Sequence, residues 1–276
     1  MRSEDDLQIE PLGSAGGVEI LDIDLAGDLG DATFRKVEEV FDRESLVVFR
    51  NQELTPERGR QIFSRFGPLV EGIGVVSNQD ATGRGELQFH SERSFQRQIP
   101  IRGLALYGRE VGAGGAATLF INCAAAYRDL PGPVRARLAT VDTVHSFDPR
   151  VRLGPDYGGP EVPAGGWRTI HPAVLRHPLT GVPILFVSPW FTTAIAEDAD
   201  AGDGLLDQML GHLTDPSFRY RHQWRPNDLV LWDNLAFIHA REPYLESTTR
   251  VLWKYEFRFA DGIELTPPHG TRLTTG

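Results

Sequence analysis

The chain holds one cysteine, Cys123, among its 276 residues. A single thiol excludes an intrachain disulfide and fits a reducing compartment, so the expected location is the cytoplasm. No activating neighbour is evident, and a small buried side chain is the expected role rather than a nucleophile. No apolar run approaches membrane length, and the opening residues lack the charged-then-apolar pattern of a secretion signal. No membrane partner is expected. Runs of Lys and Arg are missing as well. The formal net charge of −10, from 28 basic and 38 acidic residues, argues against the basic face that nucleic acid requires. No repeat, low-complexity tract or linker divides the chain, which is expected to form one domain over residues 1–276.

What is abundant is turn-forming material: 29 Gly and 19 Pro, scattered, as in a fold of short strands. Val18 to Ile23 reads as a strand and Asp31 to Arg43 as a helix, with Phe34, Val37, Val40 and Phe41 on one face. Leu46 to Phe49 reads as a short buried strand. Thr55 and Pro56 supply an N-cap and a first-turn proline for a second helix. Later segments read mostly as strands: Glu86 to Ser91, Leu104 to Val111, Ala117 to Ile121, Ile184 to Val187, Phe218 to Trp224, Asp228 to Trp232 and Val251 to Phe259. A helix over Gly204 to Leu213 interrupts them. Asp148 to Gly166, rich in Gly and Pro, reads as a long loop of the kind that serves as a lid. Helices early and strands late, without βαβ alternation, predict an α+β chain with a double-sheet β core rather than a Rossmann sheet.

Most of the eight histidines need no chemical role. His212 lies near a helix C-terminus, where the dipole favours it, and His171 and His177 each precede a proline. His90 differs because Glu92 follows two residues on. On an extended strand these two side chains share a face, and an imidazole beside a carboxylate is part of the two-histidine, one-carboxylate set that suits non-haem iron(II). A surface ion pair is the plainer alternative. A second cluster runs from Trp232 through Asp233, Asn234 and His239 to Arg241, with Arg250 and Lys254 beyond it. Asp233 is a metal ligand in principle, though beside Asn234 at a strand end it suits turn hydrogen bonding better.

The ordered set of short motifs resembles the taurine/2-oxoglutarate dioxygenase family of TauD/TfdA type. The carriers are Ile9 to Gly13, Gly17 to Ile20, Ile23 to Leu25, Leu46 to Arg50, the Thr55-Pro56 helix, Phe66-Gly67, Gly114 to Thr118, His171-Pro172, His177-Pro178, Phe191 to Thr193, Arg225 to Asp228 and Trp232 to Asn234. The resemblance covers nearly the whole chain. It implies a double-stranded β-helix, a jelly-roll or cupin-like core with flanking helices. It also implies iron(II), 2-oxoglutarate and O2 as cofactors, with His90, Glu92 and His239 holding the metal.

Carried over in the same way, Arg250 grips the distal carboxylate of 2-oxoglutarate and the Thr118 hydroxyl supports it. The chain departs from the family in three places. Glu92 stands where Asp is commoner, Lys254 replaces an arginine that binds sulfonate, and Glu86 stands where an asparagine is expected. Taurine and close sulfonates are therefore not the expected substrates. Lys254, with Trp190 and Phe191 as an apolar wall, points to a small molecule with an anionic or amino-acid-like end or to a secondary metabolite. The implied reaction decarboxylates 2-oxoglutarate to succinate and CO2 while oxidising an unactivated C–H bond. Hydroxylation is the first expectation, with desaturation or cyclisation left open. Glu92 occupies the position that a halogenating enzyme leaves vacant. A non-redox zinc site and an inactive β-sandwich binding protein are the competing readings; neither gives Arg250 and Thr118 a purpose together with an intact triad. The oligomeric state is open, a homo-oligomer included.

Overall fold

The computed structural model describes residues 7–77, 86–112, 114–152, 162–196, 204–243 and 248–260. The chain begins with strands Gln8–Pro11 (β1) and Val18–Leu21 (β2), helix Asp31–Glu44 (α1), strand Leu46–Phe49 (β3) and helix Pro56–Phe63 (α2). Strands Gly74–Ser77 (β4), Leu87–His90 (β5), Ile101–Val111 (β6) and Thr118–Asn122 (β7) follow, then helices Cys123–Asp129 (α3) and Gly132–Leu138 (α4). Strand Asp142–Phe147 (β8) and the short helix Pro149–Arg152 (α5) lead to Trp167–Pro172 (β9), Val174–Arg176 (β10), Pro183–Leu185 (β11) and Thr192–Ile195 (β12). Helix Leu205–Leu213 (α6) precedes Arg219–His222 (β13), Leu229–Asp233 (β14), Phe237–Arg241 (β15) and Arg250–Arg258 (β16).

Two sheets make the body. The larger has the order β1-β2-β3-β14-β6-β16-β4 and the smaller β13-β7-β15-β5. The side-chain period of two divides every central strand between two cores. In β3, Val47 and Phe49 pack beneath α1 and α2 with Phe34, Val37, Phe41 and Phe63. Leu46 and Val48 turn the other way, toward Phe120, Trp232 and Phe237 between the sheets. A third cluster lies behind the smaller sheet, where Ile121 and Ile238 meet Cys123, Ala126, Met209 and Leu213 of the later helices. The layers run helices, large sheet, small sheet, helices, which is the expected jelly-roll with flanking helices. Full burial of a side chain such as Phe41 or Phe63 contributes about 1.5–3 kcal/mol.

Local chemistry explains the boundaries. The Thr55 hydroxyl accepts the Arg58 N–H at 3.1 Å and Pro56 opens α2. Gly59 lets that helix close on β16, because a side chain there would collide with the Tyr255 ring. Buried Arg102 of β6 reaches Asp42 at 2.6 Å and the Phe66 carbonyl at 2.6 Å, tying α1 to the large sheet. The stretch expected as one loop over 148–166 begins with the helical turn α5. Residues 153–161, the middle of the expected lid, lie outside the described residues. Among the described residues no helix is long and apolar enough to cross a membrane.

His145 and His171 sit buried against each other and Phe186, with ring centroids 5.2 Å apart. Burial, then the neighbouring His171, pushes His145 well below the usual histidine range, and burial pushes His171 down to about 4. Both rings are neutral in the fold, whereas an unfolded histidine titrates near 6.5. As pH falls from 6.5 to about 4, the unfolded chain takes up protons that the folded chain refuses. Stability is therefore full above 6.5 and drops through that interval, by up to about 1.4 kcal/mol per pH unit for each ring. Urea midpoints measured from pH 7 to pH 4.5 are expected to fall, and to fall less steeply in His171→Gln. Parallel slopes in the two proteins would contradict this.

Candidate active site

Strand β15 pairs with β7 on one side and β5 on the other, and the β5 register sets His239 directly opposite His90. Their rings lie 4.3 Å apart between centroids. His90 donates its Nδ1–H to the Gln88 carbonyl at 2.8 Å, which fixes the tautomer and leaves the Nε2 lone pair for a ligand. Trp190 and Phe191 pack edge-on against His90, at 4.7 and 5.6 Å, and Trp232 backs His239 at 4.8 Å.

Glu92 does not reach the site by strand alternation. Strand β5 ends at His90, and Glu92 lies on the turn that follows, with Arg93 at φ +61°. The turn is held from behind by Asn234: the Glu92 N–H donates to Asn234 Oδ1 at 2.7 Å, and Asn234 Nδ2 donates to the Glu92 carbonyl at 3.0 Å. The result still brings the expected trio together. One ligand atom from each of His90, Glu92 and His239 lies within 4.8 Å of the other two. Asp233 is not part of this group. Its Oδ1 accepts the N–H groups of Leu235 and Ala236 at 2.8 and 2.9 Å, and its Oδ2 accepts the His177 Nε2–H at 3.0 Å.

The charge states suit a cation. Burial lowers His90, partly opposed by Glu92, and burial, followed by the neighbouring His90 ring with which a second proton would have to compete, takes His239 well below its usual range. Both imidazoles are therefore neutral, as metal ligation requires. Burial alone would raise the Glu92 carboxyl, but the Lys254 ammonium beside it outweighs burial, and the carboxyl is held at about 2.

The trio opens on a cavity of about 110 Å³. Arg250, Thr118, Lys254 and Arg241 line it, with Val76, Leu87 and Leu106 as apolar walls. Arg250 is fully buried, and its Nη2–H donates to Thr118 Oγ1 at 3.0 Å. The same oxygen accepts the Trp224 Nε1–H at 2.9 Å. Lys254 faces the cavity, as its alternation with Arg250 predicts. Its ammonium lies 3.3 Å from Glu92 Oε1 and also pairs with Glu256, so it is neither solvent-facing nor a bare cation. Trp190 and Phe191 support His90 rather than line the cavity. Glu86 is exposed and is not among the lining residues.

Residues 8–255 match the family model "Taurine catabolism dioxygenase TauD, TfdA family". The chain belongs to the TauD/TfdA family. It is 30% identical to an alpha-ketoglutarate-dependent 2,4-dichlorophenoxyacetate dioxygenase of Cupriavidus pinatubonensis, over 88% of this chain and 94% of that one. It is 26% identical to a pentalenolactone F synthase of Streptomyces avermitilis, over 91% and 94%. The crystal structure of AAD-2 in complex with Mn(II) and N-oxalylglycine superposes with a TM-score of 0.79 at 26% identity, covering 93% of this chain and 98% of that one. TauD/TfdA enzymes are oxidoreductases that use iron(II), 2-oxoglutarate and dioxygen, and this chain is a dioxygenase with that cofactor set.

Three residues of this TauD/TfdA site were not given roles by sequence reasoning. Arg241 follows His239 by two positions and shares its face, a signal that was present in the alternation. Asn234 and Trp224 act through contacts 142 and 106 residues away in sequence, which no local pattern reveals. Thr118→Val is expected to cost about 1–3 kcal/mol, because it strips the acceptor from two buried donors, Trp224 Nε1–H and Arg250 Nη2–H. Trp224→Phe, which removes one donor and leaves the hydroxyl served, is expected to cost less for that bond, about 0.5–1.5 kcal/mol. Denaturant unfolding of the two variants checks the order.

Proposed function

We propose that this dioxygenase holds iron(II) with His90, Glu92 and His239 and binds 2-oxoglutarate with Arg250 and Thr118. On this reading it oxidises, in the first instance hydroxylates, an unactivated C–H bond of a small anionic molecule. The observation that carries this is the sharing of one cavity by a neutral-imidazole, ionised-carboxylate trio and a buried Arg–Thr pair. The iron and the 2-oxoacid together supply the oxygen-activating redox chemistry, with succinate and CO2 as by-products.

The chain's own residues do the rest. Two neutral histidines and one carboxylate leave open positions for a chelating cosubstrate. The Arg250 fork suits a carboxylate. Thr118 accepts two N–H groups on its oxygen, so its own proton is left for an acceptor in the cavity. The apolar packing of Trp190, Phe191 and Trp232 around the imidazoles keeps water from their far sides. A zinc hydrolase would use the trio but would leave the buried arginine without a task.

For the substrate, the cations Lys254 and Arg241 support an anionic end, and the relative named for 2,4-dichlorophenoxyacetate acts on a carboxylate. Lys254 presents a point charge rather than a planar fork, which suits one carboxylate oxygen better than a sulfonate clamp. An anion there would share the ammonium with Glu92 and Glu256. The described residues function as one domain.

The test is 2-oxoglutarate-dependent oxygen uptake with succinate release. His90→Ala, Glu92→Ala and His239→Ala are each expected to abolish it, as is a chelator, while His212→Ala retains it. Wild-type rates in all three would place the chemistry elsewhere. Arg250→Ala is expected to weaken 2-oxoglutarate binding by on the order of 2–5 kcal/mol, read by titration of the metal-loaded protein, and unchanged affinity would refute its assignment.

A further inference from the structure

We propose that Asn234 is the positioning residue for Glu92, and that its amide sets the metal affinity of the site by locking the Glu92 peptide. The inference rests on Glu92 being a metal ligand. Asn234 is completely buried, and every polar group it has is assigned. Its Oδ1 takes the Glu92 N–H at 2.7 Å, and its Nδ2 serves the carbonyls of Glu92 at 3.0 Å and Ile101 at 3.3 Å. Its backbone N–H donates to the Arg102 carbonyl at 2.9 Å, and its carbonyl accepts the Ser91 hydroxyl at 2.7 Å. Ile101 and Arg102 belong to β6, so one side chain rivets the turn carrying Glu92 to the large sheet.

The two histidines have no need of such a device, because each is fixed by a sheet register. Glu92 has none, since its strand stops two residues earlier. A rotation of its peptide plane would swing the carboxylate away from the imidazoles, and metal sites tolerate errors of only about 0.5 Å. An asparagine amide fits this task because it offers an acceptor and donors on one rigid plane, gripping N–H and C=O of the same residue at once.

The test is a double-mutant cycle on the metal-free protein, titrated calorimetrically with Ni(II), which binds nitrogen donors tightly enough to be read with histidines alone. Asn234→Ala is expected to weaken Ni(II) binding about 10–100-fold, the usual effect of removing a residue that orients a ligand. In a Glu92→Ala background the same substitution is expected to change the affinity less than twofold, because the group it positions is gone. Equal losses in both backgrounds would mean general damage and would overturn the proposal, as would an unchanged affinity in the single variant. Asn234→Asp, which keeps shape and the acceptor but sets an oxygen against the Glu92 carbonyl, carries the same cycle and the same criteria if Asn234→Ala does not fold. If Glu92→Ala alone leaves Ni(II) binding intact, the ligand assignment fails and the positioning role with it. If Glu92→Ala weakens binding and Asn234→Ala does not, only the positioning role fails.

Discussion

The antiparallel register that puts His239 opposite His90 is the constraint on which the site depends. A slip of one residue would turn one imidazole to the far side of the small sheet and Ile238 to the near side. The register is held because both faces of β15 are committed. Phe237 belongs to the core between the sheets, and Ile238 to the cluster beneath the later helices. Strand β7, bound to the other edge of β15, brings Thr118 to the same face, and β16 of the large sheet closes over it with Arg250. Packing that stabilises the jelly-roll is thus the same packing that aligns its polar groups.

The interior charge runs against that of the whole molecule. A chain of formal charge −10 gathers Arg250, Lys254 and Arg241 around one small space and sets Glu92 and Glu256 among them. Net charge speaks to long-range partners and solubility, not to a site of this size. Ionised groups removed from water are costly unless they are paired and hydrogen-bonded. The described contacts meet that demand for Lys254 through two carboxylates, and Arg93 continues the chain to Glu256 at 3.2 Å.

Much of this was legible before any coordinates. Helix α1 announced itself through Phe34, Val37, Val40 and Phe41, α2 through its Thr-Pro start, and β3 through an unbroken apolar run. His90, Glu92 and His239 were grouped through the family resemblance, and the fold brings their ligand atoms within 4.8 Å of one another. Less legible were α3, too short and too uniformly small-chained to show a stripe, and the strands β8, β9 and β12, whose pairing partners lie distant in sequence. Glu92 comes beside His90 and His239, though not on the strand that the sequence reading gave it. Alternation along a strand predicted its direction, whereas an asparagine from the other end of the chain supplies it. Long-range hydrogen bonds of that kind leave no periodic trace.

The solitary thiol acquires a use from where it lies. Cys123 is 1% exposed in the layer between the small sheet and the later helices, and burial pushes it up to about 12. An alkylating reagent at neutral pH therefore meets no thiolate until that layer parts. With no other sulfhydryl in the molecule, the speed of its labelling is a clock for the opening of one layer alone, on the side of the sheet away from the cavity of His90 and His239. Partial unfolding that begins there is separable from fluctuations of the substrate mouth.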